Sequence, residues 1–208
     1  VYFSNNNINQ GYVMTVDTST FTNNQSTSGS GGAIYSSSAT LNILDSDFNL
    51  NTAAVDGGAI VAYSIVANIS DSGFDQNSAT GNGGAIQLDQ SSTLTTNNSN
   101  FTNNQAILAG GAIYGAYGML TVDTSTFTSN QAGVGGAILM NQDTTISNSS
   151  FDQNSADSNG GAIHANGGAN NTNILTLNSS TFTNNKAIGP SGTTWGKGGA
   201  ISTSFAYT

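Results

Sequence analysis

Cysteine, glutamate and arginine are absent from these 208 residues, and proline and tryptophan occur once each. Without cysteine there are no disulfides, thiolate metal sites or thiol nucleophiles. Two lysines against eleven aspartates leave a net charge of −9. Such a chain cannot neutralise phosphates, so nucleic-acid binding is excluded and anionic membrane surfaces are disfavoured. No uninterrupted apolar run is long enough for a membrane-spanning helix. Helix formers are scarce as well. Asn, Ser and Thr make up 83 residues and Gly another 26, and these residues compete with helical hydrogen bonding or add backbone entropy.

What is present is a repeat. Phe-x-x-Asn begins at Phe3, Phe21, Phe48, Phe74, Phe101, Phe127, Phe151 and Phe182, paired from Phe21 onward with Asn24, Asn51, Asn77, Asn104, Asn130, Asn154 and Asn185. Gly-Gly-Ala-Ile begins at Gly31, Gly57, Gly83, Gly110, Gly135, Gly160 and Gly198 and alternates with it. Successive Phe spacings from Phe21 are 27, 26, 27, 26, 24 and 31. Further columns appear five residues before Phe (Val16, Ile43, Ile69, Thr96, Val122, Ile146, Leu177) and seven before it (Met14, Leu41, Ala67, Leu94, Leu120, Thr144, Leu175). An Ala column follows Phe by five, from Ala53 to Ala187.

Short alternating runs broken by Gly, Asn, Asp and Ser are strand-and-turn signals. A fixed period of this length indicates a solenoid. The pattern predicts an all-β chain: one right-handed parallel β-helix over 1–208, with about 26 residues and three short strands per coil and roughly eight coils. In it Phe and Ile stack inside. The Asn amides form an inter-coil ladder at a turn, and Gly-Gly permits a tight corner.

The alternation of Phe-x-x-Asn with Gly-Gly-Ala-Ile resembles the repeat signature of the polymorphic outer membrane proteins best known from chlamydial surfaces. The resemblance spans about 3–208. It implies an autotransporter passenger: an extracellular, cell-surface or secreted β-helical stalk, often adhesive. The chain departs from the full family pattern in having no signal peptide and no membrane barrel, and its first rung is only 18 residues, from Phe3 to Phe21. Neither end carries a capping pattern. The expectation is therefore a segment of a longer chain, or a rod that stacks end to end on itself into filaments.

Candidate chemistry is sparse. Asp45, Asp47, Asp71 and Asp75 form the best carboxylate cluster, a weak Ca²⁺ candidate; no other cofactor is expected. A polysaccharide-acting, pectin-lyase-like enzyme is the alternative reading. It needs placed carboxylates or a cationic base, and the absence of Arg weighs against it. His164, the only histidine, reads as an outward surface residue. The position after each Ile forms an outward stripe (Tyr35, Val61, Gln87, Tyr114, Leu139, His164, Ser202), with Tyr63 two residues further along its own strand. Tyr35, Tyr63, Tyr114, Leu139 and His164 mark a candidate exposed binding face for a host-cell or surface glycan or protein. Trp195 joins them from a late insertion at 189–197; a second insertion lies at 166–173. Thr-Phe-Thr at Thr20/Thr22, Thr126/Thr128 and Thr181/Thr183 suggests an ice-binding array, interrupted by Asp47/Asn49, Gly73/Asp75 and Ser150/Asp152. The seven Asn-x-Ser/Thr sequons, Asn68 and Asn100 among them, follow from composition.

Overall fold

The computed structural model describes residues 1–4, 12–167, 173–189 and 196–205. They form a parallel β-solenoid with no helix among the described residues. One coil shows the plan. It runs through Ile86–Asp89, Thr93–Asn97, Asn100–Thr102 and Gln105–Ala106. Each strand pairs in parallel with its equivalents one coil away, as in Leu94↔Leu120 and Phe74↔Phe101. The four resulting faces are called here the Ile, broad, Phe and Ala sheets. The Ile sheet has eight strands and the others seven.

Two expectations are corrected. Each coil has four strands rather than three, because the two residues that follow the Asn turn, such as Gln105–Ala106, pair as a ladder of their own. The coil number is also lower. The seven stacked rings from Phe21 to Phe182 bound six full turns. Phe3 is not in that column: its strand Tyr2–Ser4 lies in the Ile sheet, with Phe3 opposite Ser36. The spacing of 18 from Phe3 to Phe21 is too short for a full coil.

The inward columns are where the sequence places them. Phe rings stack with centroids 4.6–4.9 Å apart and planes within 8° of parallel. That separation is the inter-strand spacing of a sheet, so ring geometry follows backbone geometry. Phe48, Phe74, Phe101, Phe127 and Phe151 are fully buried together with the Ile column Ile34, Ile60, Ile86, Ile113, Ile138 and Ile163. Burial of each such side chain contributes roughly 1.5–3 kcal/mol.

The corners are held by three polar devices. At the first, the residue three before Phe adopts a left-handed backbone: Asp45, Asp71, Asn98, Thr124 and Asn148 have φ of 44–53°. The following Ser (Ser46, Ser72, Ser99, Ser125, Ser149) points inward and is buried. Its Oγ accepts the backbone N–H of the equivalent Ser one coil earlier and donates to the carbonyl two residues back; Ser72, for example, takes the N–H of Ser46 at 3.1 Å and donates to Ser70 O at 2.7 Å. At the second corner each Asn amide oxygen accepts both the backbone N–H and the side-chain Nδ2 of the Asn one coil before it, from Asn24 to Asn185. The amide Nδ2 also donates to a Phe carbonyl, as Asn104 does to Phe74 O at 2.9 Å. Every buried polar group of this corner is thereby paired. At the third corner Gly110 has φ +62°, and a Cβ on Gly111 would run into the carbonyl oxygen of Gly136. Two different needs, a left-handed backbone and a close backbone approach, explain why both positions are Gly.

Candidate functional site

Outward residues form straight columns along the rod, because each strand is in register with the next. On the Ile sheet, one column reads Tyr35, Val61, Gln87, Tyr114, Leu139, His164 and Ser202. The neighbouring column holds Ser37, Tyr63 and Asp89.

This stripe is not the exposed face expected from sequence. Leu139 is 8% exposed and His164 6%, while Tyr35, Tyr63 and Tyr114 are half-buried. The Gly-Gly corner folds back over the start of the strand. The Cβ position of Gly57 lies 2.7 Å from Val61 Cγ2, and that of Gly135 lies 3.1 Å from Leu139 Cβ. Leu139 and His164 are covered, whereas Tyr35, Tyr63 and Tyr114 keep part of their surface in solvent. His164 is therefore not an ordinary surface residue either. Its Nε2 lies 3.3 Å from Ser204 Oγ, its Nδ1 is buried without a hydrogen-bond partner, and burial pushes its pKa below the usual imidazole value. Trp195 lies outside the described residues, as do 168–172 and 190–194 of the two insertions.

The four aspartates are not gathered into one site. Asp45 and Asp71 are successive left-handed turn residues, a conformation that Asp tolerates better than most side chains. Asp71 Oδ1 accepts Asn98 Nδ2 at 2.6 Å. Asp75 accepts Gln76 Nε2 at 2.8 Å and Asn103 Nδ2 at 3.2 Å. Asp47 sits opposite Gly73 and Asp75 opposite Asn49, at opposite ends of paired strands. No group of three or more His, Cys, Asp or Glu side chains that could hold a metal ion occurs among the described residues. The same acid-to-amide pattern recurs at Asp152, whose carboxyl is held below the usual range by hydrogen bonds from Thr183 first, then Asn184 and Gln153.

The broad sheet presents a face that sequence reasoning missed. Its central outward column is Thr15, Asn42, Asn68, Thr95, Thr121, Thr145 and Thr176. These residues stand six before Phe, between the two inward columns recognised from sequence. Alternation alone could have found them. The flanking column is Val13, Thr40, Val66, Thr93 and Met119, with Val13, Val66 and Met119 about half exposed. Over the first coils the face encloses a shallow groove of about 410 Å³, lined by Thr15, Asn42, Leu44, Asn68, Thr95 and Asn97 among others. Asn68 Nδ2 donates to Asn42 Oδ1 at 2.9 Å across its floor. No charged side chain lines it. Its size lies within the range of small-ligand sites. The Thr-Phe-Thr array on the Phe sheet is interrupted as its sequence indicated, with Thr20 opposite Asp47 and Thr128 opposite Asp152.

No helix among the described residues is long and apolar enough to cross a membrane. The chain matches the family model of the Chlamydia polymorphic membrane protein repeat five times, over residues 18–37, 74–89, 98–116, 124–140 and 148–166. Each match begins at the turn before Phe or at Phe itself, crosses the Asn and Gly-Gly corners, and extends into the Ile strand. No curated protein and no solved structure matches the chain.

Proposed function

With the polymorphic membrane protein repeat as premise, we propose that this chain works as a non-catalytic β-helical rod on a bacterial cell surface, and that it adheres through its outward faces. One observation carries the reading. The inward Phe, Ile, Asn and Ser columns repeat nearly unchanged from coil to coil, while the outward column of the Ile sheet changes residue by residue, from Tyr35 to Val61, Gln87 and Tyr114. A scaffold of this kind holds varied side chains at fixed spacing, which suits display and binding.

The groove of the broad sheet is the proposed ligand face. Its amides and hydroxyls offer donors and acceptors on successive coils, and Leu44 adds apolar surface. The absence of a lining charge, on a chain of net charge −9, favours a neutral glycan lying along the rod over a sulfated or sialylated one. The test is a glycan array followed by calorimetry. Neutral oligosaccharides bind, and Asn42→Ala with Asn68→Ala weakens binding by about tenfold or more. Binding of acidic glycans only, or unchanged affinity in the double variant, overturns the proposal. New reducing ends in the bound glycan would return the reading to an enzyme.

A second reading has its own support. Thr95, Thr121, Thr145 and Thr176 stand in register on consecutive coils of one sheet. Such an array could order a regular surface such as ice, and thermal hysteresis decides it: a freezing point equal to the melting point removes the reading.

A further inference from the structure

The outer side of the Ile sheet carries chemistry that the groove on the broad sheet does not use. Register sets Tyr63 directly opposite Asp89 on the next coil. Tyr35 stands opposite Val61, and Gln87 opposite Tyr114. Tyr35 is therefore diagonal to Tyr63, and Tyr114 diagonal to Asp89, within reach of aromatic side chains. Tyr2 continues the row, stacked on Tyr35 at 5.5 Å. Tyr117, largely exposed, follows Tyr114 at the strand end.

Every group in this patch favours positive charge. Tyr faces attract cations through their quadrupole. Asp89 accepts the Gln90 N–H through Oδ1 at 2.8 Å, and no hydrogen bond among the described residues uses its Oδ2. Gln87, only 6% exposed and midway along the row, has an amide oxygen with no hydrogen-bond partner. Gln87 stands in the same outward column as Tyr35 and Tyr114, so this orphan acceptor adds negative potential along the row. Burial raises the Tyr35 and Tyr114 hydroxyl pKa values, with smaller contributions from neighbouring tyrosines and aspartates, Asp89 among them. Both hydroxyls stay protonated at neutral pH. The two lysines, Lys186 and Lys197, lie in the last coils, far along the sequence from these strands.

We propose that the Tyr35–Tyr63–Asp89–Tyr114 patch binds a basic peptide segment of a partner protein, whose Arg or Lys side chains lie against the tyrosine rings and pair with Asp89. An extended segment fits better than a lone amine, because the row runs along several coils at about 4.8 Å each. Charge complementarity gives the same sign at long range: a chain of net charge −9 attracts basic partners. The inference gives the adhesive rod a protein partner, and it uses a different face from the glycan groove.

The experiment uses the whole chain and a blocked, fluorescently labelled Arg-Gly-Arg-Gly-Arg peptide, read by anisotropy at low and high salt. The Arg peptide binds, binding weakens with salt, and a Glu-Gly-Glu-Gly-Glu peptide does not bind. Asp89→Asn and Tyr63→Ala each weaken it by about fivefold or more, with circular dichroism showing an intact fold. Asn42→Ala with Asn68→Ala leaves it unchanged, so failure of the glycan groove and failure of this patch are separable. Equal binding of both peptides, or affinity insensitive to Asp89→Asn and Tyr63→Ala, overturns the proposal. Argininamide binding as tightly as the peptide overturns the segment as occupant.

Discussion

Asn77 and Asn104 meet across one coil through a single oxygen: Asn104 Oδ1 accepts the Asn77 backbone N–H and the Asn77 Nδ2, each at 3.0 Å. Both residues are fully buried. The oxygen therefore closes a turn and a ladder at once, and a defect in one amide reaches two coils.

Asn104→Ala should destabilise the rod by about 3 kcal/mol or more, since it strands the Asn77 backbone N–H and other buried donors and acceptors at about 1–3 kcal/mol each. Urea titration followed by circular dichroism measures it. A loss below about 1 kcal/mol would mean that water replaces the amide, and the ladder would then not be what holds the corner. In a solenoid the loss is expected to concentrate in neighbouring coils, which hydrogen exchange at the Asn77 and Asn130 amides would localise.

Gly111→Ala should disrupt the corner far more than its one methyl suggests. The added carbon would lie 2.6 Å from Gln131 O and run into the Gly136 carbonyl, both of them backbone atoms. Gly29→Ala is the control, because its nearest neighbour is Ser26 Oγ at 3.4 Å and its φ is unexceptional. Thermal melts of the two variants should differ clearly, with Gly29→Ala close to the parent. Equal melting temperatures would show that the corners yield.

His164 should make stability fall as pH drops below neutrality. Burial lowers its native pKa, whereas the unfolded chain takes up a proton near the ordinary value of about 6.5. Above that pH both states are neutral and the site contributes nothing to the pH slope. As pH falls through it, the unfolded state gains protons first and the native state loses relative stability, down to the lower native pKa. Melts between about pH 7.5 and 5 should show the decline, and His164→Gln should flatten it. An identical profile in the variant would assign the decline to other groups. Asp152 acts in a lower window: its depressed pKa makes its contribution disappear only as pH falls through the carboxylate range.

The scaffold was legible because a solenoid writes its contacts into its period. Residues one coil apart touch, so Phe74 and Phe101, or Asn77 and Asn104, could be paired by counting alone. The inward Ser column was equally legible, two before every Phe from Ser19 to Ser180, and so was the Thr/Asn column six before it. Both went unread because polar residues in a chain so rich in Asn, Ser and Thr look like background.

What sequence alone determined is the solenoid, its period and its inward ladders, since each depends on residue type and spacing. Only the tertiary structure decided which outward positions see solvent. Leu139 and His164 alternate outward as expected, yet the Gly-Gly corner and the adjacent coils bury them. Val66 and Met119, no more polar, stay exposed on the broad sheet. Alternation fixes the side of a strand on which a residue lies; what the chain then folds across that side depends on the path of a corner, which no periodicity encodes.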